Sequence, residues 1–178
     1  MSQQANFSIV RILGFIAIAV LLAALLITRF GMQSARGGLQ PGEHLPIIEA
    51  AGWLNGDAPT MDGLKGNVLV VVAYAHWCPP CRKEAPELVK LHKEFSPEGV
   101  QFIGLTSVDA TELEQTKEFL KEYDIQWQNG YGANNTLQEL QVEYIPCVWV
   151  VGKDGIITWN MDSEQSQSLQ AAIEAALE

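Results

Sequence analysis

Two cysteines three residues apart, Cys78 and Cys81, enclose two prolines and follow Trp77 in the stretch HWCPPC. Thiols at this spacing either hold a soft metal ion or make and break a disulfide. A structural zinc site usually takes four ligands. Beyond the pair the chain offers Cys147, His44, His76 and His92, which do not form a second ligand pair. A permanent disulfide across two residues closes too small a loop to stabilise much. Redox exchange is therefore the chemistry the pattern favours, with no metal and no cofactor expected.

The flanking sequence must place this pair. VLVVVAYA (68–75) is a continuous run rich in β-branched residues, as in a strand buried on both faces. From Pro79 to about Phe95 the apolar residues fall at helical spacing. Cys78 precedes a proline and is biased to the extended geometry of a helix N-cap. Pro79 and Pro80 then fill the first helical positions, where a missing N–H costs nothing. Cys81 sits one turn in, within reach of disulfide geometry. At the helix N-terminus the Cys78 thiolate is favoured. Cys78 is thus expected to be the exposed nucleophile, and Cys81 the shielded thiol that resolves.

Further along, VQFIGLTSV (100–108) reads as strand and TELEQTKEFLKEY (111–123) as helix, with Thr111 and Glu114 as a capping box. A short strand near Gln126 and a short helix near Leu137 follow. CVWVVGKDGIITWN reads as a hairpin turning at Lys153-Asp154-Gly155, and SQSLQAAIEAALE as a closing helix. Upstream, Asn55-Gly56 is a hairpin signal. Strands alternating with helices, ending on a hairpin and a helix, make a mixed-sheet α/β sandwich.

VLVVVAYAHWCPPCRKEAPEL resembles the active-site segment of the thioredoxin superfamily, specifically its membrane-tethered TlpA/ResA-like thiol–disulfide oxidoreductases. The resemblance covers roughly residues 40–178, including YIPCVWVVGKDGII. It implies a thioredoxin fold with an N-terminal β-hairpin and a central strand–helix insert at 124–141. It makes Cys78 and Cys81 the redox pair, Trp77 the flanking aromatic, and Pro146 a cis-proline that, with Ile145, docks substrate backbone. Glu84, three residues after Cys81, stands where ResA-like members carry a functional glutamate. The alternative for Glu84 is an exposed acid favoured by the helix dipole.

Three positions depart from the family pattern. Val72 stands where thioredoxins keep a buried aspartate, so no acid at that position can move a proton. His76 is either a modulator of the Cys78 thiolate or a solvated loop residue. Cys147 follows the cis-proline position, where threonine is usual. It is either a third thiol near the pair or a small buried hydrophobe.

At the N-terminus, Ile12 to Thr28 carries no charge and as helix would span about 26 Å. With Arg11 and Arg29 at its ends it reads as a short membrane anchor. A cleaved signal peptide is the competing reading, but no clear small-x-small site follows. The expected organisation is an anchor (1–30), a Gly/Pro-containing linker (31–44) and a thioredoxin-like domain (45–178).

Beyond residue 36 the chain has 21 acidic against 8 basic residues, a formal charge of −13. That disfavours nucleic acid as a partner. The expected protein is anchored in a bacterial inner membrane with its domain on the extracytoplasmic side. Its partners would be protein thiols and disulfides and an electron donor. By analogy, clients would include the haem-attachment cysteines of cytochromes c. Rival readings are a peroxiredoxin-like peroxidase, for which AYAHWC lacks the Thr and Pro of a peroxide pocket, and a copper-binding protein using His76 and Cys147.

Overall fold

The computed structural model describes residues 37–163 and 167–178. Six strands form one mixed sheet: β1 (Gly52–Leu54), β2 (Leu69–Ala73), β3 (Gln101–Thr106), β4 (Gln128–Tyr131), β5 (Cys147–Val151) and β6 (Ile157–Asn160). Their spatial order is β1-β4-β3-β2-β5-β6. The β2–β3 and β3–β4 pairs are parallel, and β1–β4, β2–β5 and β5–β6 are antiparallel. The helices are α1 (Met61–Leu64), α2 (Pro79–Phe95), α3 (Leu113–Glu122), α4 (Asn134–Glu139) and α5 (Leu169–Leu177).

The continuous apolar run of β2 is explained by its place in the middle of the sheet, where all five residues are buried. Alternate side chains feed two cores. Val70 and Val72 face a core shared with Leu88 and Leu91 of α2, Phe119 of α3 and Ile173 of α5. Leu69, Val71 and Ala73 face the opposite core, with Trp149 of β5, Leu140 and Leu39. The period of two along β5 puts Val148 and Val150 in the first core and Cys147, Trp149 and Val151 in the second.

The helix after Pro79 and the turn around Lys153-Asp154-Gly155 form where the sequence places them. Gly155 takes φ +82° in that turn and donates its N–H to Gly152 O at 2.9 Å. The strand–helix unit at 124–141 is present as β4 and α4.

Three expectations are corrected. The N-terminal β-hairpin does not form: β1 is an edge strand that pairs with β4, and the segment after Asn55-Gly56 adds no strand to it. Asn55 and Gly56 do turn the chain at positive φ. However, Asn55 Nδ2 donates to Ile125 O at 2.7 Å, and the chain continues through Pro59 into α1. Thr111 is not the cap of α3. Asp109 caps a 3-10 turn at Ala110–Glu112, accepting from Thr111 N, and Glu114 pairs instead with Lys117.

The third correction concerns the linker, whose residues 37–44 belong to the domain. Leu39 is buried, its N–H donates to Leu140 O, and its carbonyl accepts from Trp149 Nε1 and Asn160 Nδ2. The expected anchor, and the linker up to residue 36, lie outside the described residues. Among the described residues no helix is long and apolar enough to cross a membrane.

Candidate active site

Cys78 closes the turn between β2 and α2 in extended backbone, φ −82° and ψ 113°. Its Sγ accepts the N–H of Cys81 at 3.2 Å, and its carbonyl accepts that of Arg82 at 3.1 Å. Pro79 and Pro80 occupy the first two helical positions and have no N–H. The two cysteines form a disulfide, with Cα atoms 5.3 Å apart.

Exposure does not distinguish the two thiols. Cys78 is 2% exposed and Cys81 3%, so the expected contrast between an exposed and a shielded sulfur is corrected. What distinguishes them is the cap, since only the Cys78 sulfur receives a backbone N–H from the helix N-terminus. A negative charge on that sulfur is the one the helix end favours.

The loop before β5 reaches the same place through sheet register. Cys147 pairs with Ala73 at the end of β2, so residues 144–146 flank the chain as it leaves for Cys78. Ile145-Pro146 is a cis peptide, and Ile145 O lies 3.7 Å from Cys78 Sγ. Trp77 on one side and Tyr144 in this loop are exposed aromatics. Tyr144 was not singled out from the sequence. Its position two residues before Pro146 was the available signal.

Glu84 is half-buried and lines a small cavity that also touches Cys81 and Pro146. It therefore lies beside the buried end of the redox pair as well as open to solvent. His76 turns away from the pair: its Nδ1 is 3.3 Å from Thr116 Oγ1 and its Nε2 is 3.5 Å from Glu112 Oε2. The ring therefore ties the active-site turn to α3. Arg82, one residue after Cys81, is paired with Glu122, donates to His76 O at 3.1 Å, and lies over the rings of Phe119 and Tyr123. Its charge is committed there.

Cys147 lies in the opposite core from the pair. Its Sγ donates to Tyr144 O at 3.0 Å. Burial, with the negative charge of Asp162 nearby, pushes its thiol up to about 12. Of the two readings of Cys147, the structure carries the small buried hydrophobe.

A reversible dithiol at a helix N-cap, beside a cis-proline loop with an acceptor at the nucleophilic sulfur, is a thiol–disulfide exchange site. Comparisons with known proteins agree. The chain is 26% identical over 138 residues to a thiol-disulfide oxidoreductase ResA of Bacillus cereus, covering 77% of this chain and 78% of that protein. It is 26% identical over 121 residues to the thioredoxin-like protein YneN of Bacillus subtilis, covering 67% and 70%.

Among solved structures, it matches the thioredoxin domain of a thiol-disulfide oxidoreductase from Bacteroides vulgatus at a TM-score of 0.67 and 22% identity, over 79% of this chain and 99% of that one. A thiol-disulfide isomerase from Corynebacterium glutamicum matches at 0.65 and 23%, over 75% and 95%. At these identities the solved structures establish the thioredoxin fold. The model of the AhpC/TSA family matches residues 41–160. The chain is a thiol–disulfide oxidoreductase of the thioredoxin fold and belongs to the AhpC/TSA family.

Proposed function

We propose that this protein is a membrane-anchored reductase of disulfides in exported proteins, working on the extracytoplasmic side of a bacterial inner membrane. The observation that carries the direction of exchange is the single N–H at Cys78 Sγ. One donor gives the thiolate modest support, and a modestly stabilised thiolate makes a weakly oxidising disulfide. The thiol-disulfide oxidoreductase name of the relatives supports the exchange chemistry, and the apolar run at residues 12–28 supports the membrane location; the haem-attachment cysteines of cytochromes c enter as clients by the family resemblance.

In the forward reaction the Cys78 thiolate attacks one sulfur of a client disulfide. A Cys78–client bond forms and the other client sulfur leaves as thiolate. Cys81, deprotonated with Glu84 taking its proton, then attacks Cys78. The internal disulfide forms and the second client thiolate departs. The client gains two electrons, and a dithiol donor must reduce the pair again. Trp77, Ile145 and Pro146 line the approach to Cys78, with Ile145 O placed to accept a backbone N–H from an extended client. A copper site has less support, because His76 is held by α3 and Cys147 lies in the other core.

The test is capture in cells. Full-length protein carrying Cys81→Ser should accumulate as mixed disulfides with exported proteins containing paired cysteines. Capture of cytosolic proteins alone, or of nothing while peroxide is turned over, would replace this reading with another location or with the peroxidase.

A further inference from the structure

Cys78 is 2% exposed, so its sulfur lies below the surrounding surface and a client must press its disulfide down to it. Among the described residues three large hydrophobic side chains are strongly exposed: Ile47, Trp77 and Tyr144. Two of the three border the reactive sulfur. Trp77 precedes Cys78 in the chain, and Tyr144 precedes Ile145, whose carbonyl lies 3.7 Å from Cys78 Sγ. One exposed aromatic needs no explanation, but two that flank one recessed reactive atom mark a surface that a partner covers.

Tyr144 is held at both ends. Its carbonyl accepts the Cys147 thiol at 3.0 Å. Its hydroxyl packs on the backbone of Gly37, where a Cβ would come within 2.9 Å of Tyr144 Oη and would also strike Asp162. The ring is therefore a preset wall, ordered before a client arrives. The charges around it are mostly of one sign. Glu143, the residue before Tyr144, is exposed, and Asp162 lies at the Tyr144 hydroxyl. Glu112, its side chain 47% exposed, stands beside His76, next to Trp77 in the chain. Of the nearby cations Arg82 is committed to Glu122, which leaves Lys83. At most about 7 Å of backbone separates Glu143 from Ile145. The Glu143 carboxylate is therefore within reach of client side chains next to the attacked cysteine.

We propose that Glu143 and Tyr144 select the client: the site takes an extended segment with a lysine or arginine within about two residues of the attacked cysteine. The proposal rests on the reductase reading above and names the class of disulfide it acts on. The basic side chain lies along the Tyr144 ring, a cation–π contact, with its charge beside the Glu143 carboxylate. Each contact alone is worth only a fewfold at an exposed site, so the two together give a preference on the order of tenfold. An acidic segment meets Glu143, Asp162 and Glu112 instead and is disfavoured before its disulfide reaches the sulfur. The exchange step itself is the same for every client. The Cys78 thiolate attacks the client sulfur, a Cys78–client bond forms, and the other sulfur leaves as thiolate. Trp77 supplies apolar contact without regard to charge.

The test is the rate at which reduced full-length protein attacks short peptides that carry one cysteine as a mixed disulfide with thionitrobenzoate. Attack on the peptide sulfur releases thionitrobenzoate, whose absorbance follows the step. Three peptides differ only at the residues flanking the cysteine, which are lysine, glutamine or glutamate. The lysine peptide should react roughly tenfold faster than the glutamine peptide, and the glutamate peptide more slowly than both. Glu143→Gln should remove much of the lysine preference, and Glu143→Lys should reverse it. Tyr144→Ala should reduce it, and Tyr144→Phe, which keeps the ring, should retain it. Glu94→Gln removes one exposed charge near the far end of α2 and should leave the preference at its wild-type value. That control separates the site from the overall negative charge of the domain. Equal rates for the three peptides, or a preference lowered as much by Glu94→Gln as by Glu143→Gln, would overturn the proposal and leave the reductase reading standing. Release from none of the peptides would overturn the reductase reading itself.

Discussion

The N–H of Cys81 reaches the Sγ of Cys78 across 3.2 Å, while the prolines between the two residues have no N–H to add. The next amide, that of Arg82, is spent on the Cys78 carbonyl, and the Arg82 guanidinium on Glu122. The cysteine at this cap is therefore sparsely solvated by the protein. Its pKa should lie below that of a free thiol, about 8.5, and well above the extreme of strong oxidants, about 3.5.

The redox midpoint follows from that relationship. Titrated against glutathione, the pair should lie nearer about −270 mV, the thioredoxin value, than about −120 mV, the DsbA value. A midpoint near the upper figure would show that another group stabilises the thiolate and that the protein oxidises its clients.

His92 sets a pH dependence of stability. Its ring lies against Phe102 and Trp127, with centroids 5.2 and 5.1 Å away. Burial, and then the charge of Lys93, hold its pKa below the usual value. The unfolded chain therefore takes up the proton first as pH falls. The contribution is full above about pH 6.5 and is lost as pH drops toward the folded-state value. Denaturant midpoints measured between pH 7.5 and 5.5 should fall more steeply for the wild type than for His92→Gln. Parallel curves would contradict this.

Gly38 is expected to resist substitution. It takes φ +87°, and a Cβ there would approach Leu140 O to 2.7 Å and run into the Trp149 ring. Gly38→Ala should cost about 2 kcal/mol or more, from left-handed backbone and overpacking together. Chemical denaturation of the variant measures this. An unchanged midpoint would mean that residues 37–44 are a free tether after all.

Cys147 should be silent in the folded protein. With its thiol pushed up to about 12, its thiolate at neutral pH is on the order of a thousandfold scarcer than that of an ordinary cysteine. Iodoacetamide should leave it unmodified in the native oxidised protein and label it after unfolding in guanidinium. Rapid native labelling would restore it as a third reactive thiol.

Much of the fold was legible because local signals agreed with the tertiary outcome. Val68–Ala75 could only be a central strand, and the prolines at 79 and 80 could only open a helix. What was not legible depends on long-range pairing. Asn55-Gly56 looks like a hairpin turn from neighbouring residues alone. β1 instead takes its partner from β4, far along the chain, and the residues after the turn run on into α1. Residues 37–44 have the composition of a tether, yet their backbone is held by Asn160 and Trp149, more than a hundred positions away. The site divides in the same way. The cysteine pair, Trp77 and Pro146 stand out by spacing and resemblance. The approach of Ile145 O to the Cys78 sulfur needs the register of β5 on β2, and no local pattern marks it.

The most direct measurement is the order in which the two active-site thiols react. Reduced protein treated at neutral pH with limiting iodoacetamide, then mapped by mass spectrometry, should carry its label on Cys78 at least about tenfold more often than on Cys81, because only Cys78 receives the N-cap N–H. Equal labelling, or faster labelling of Cys81, would contradict the assignment of Cys78 as the nucleophile.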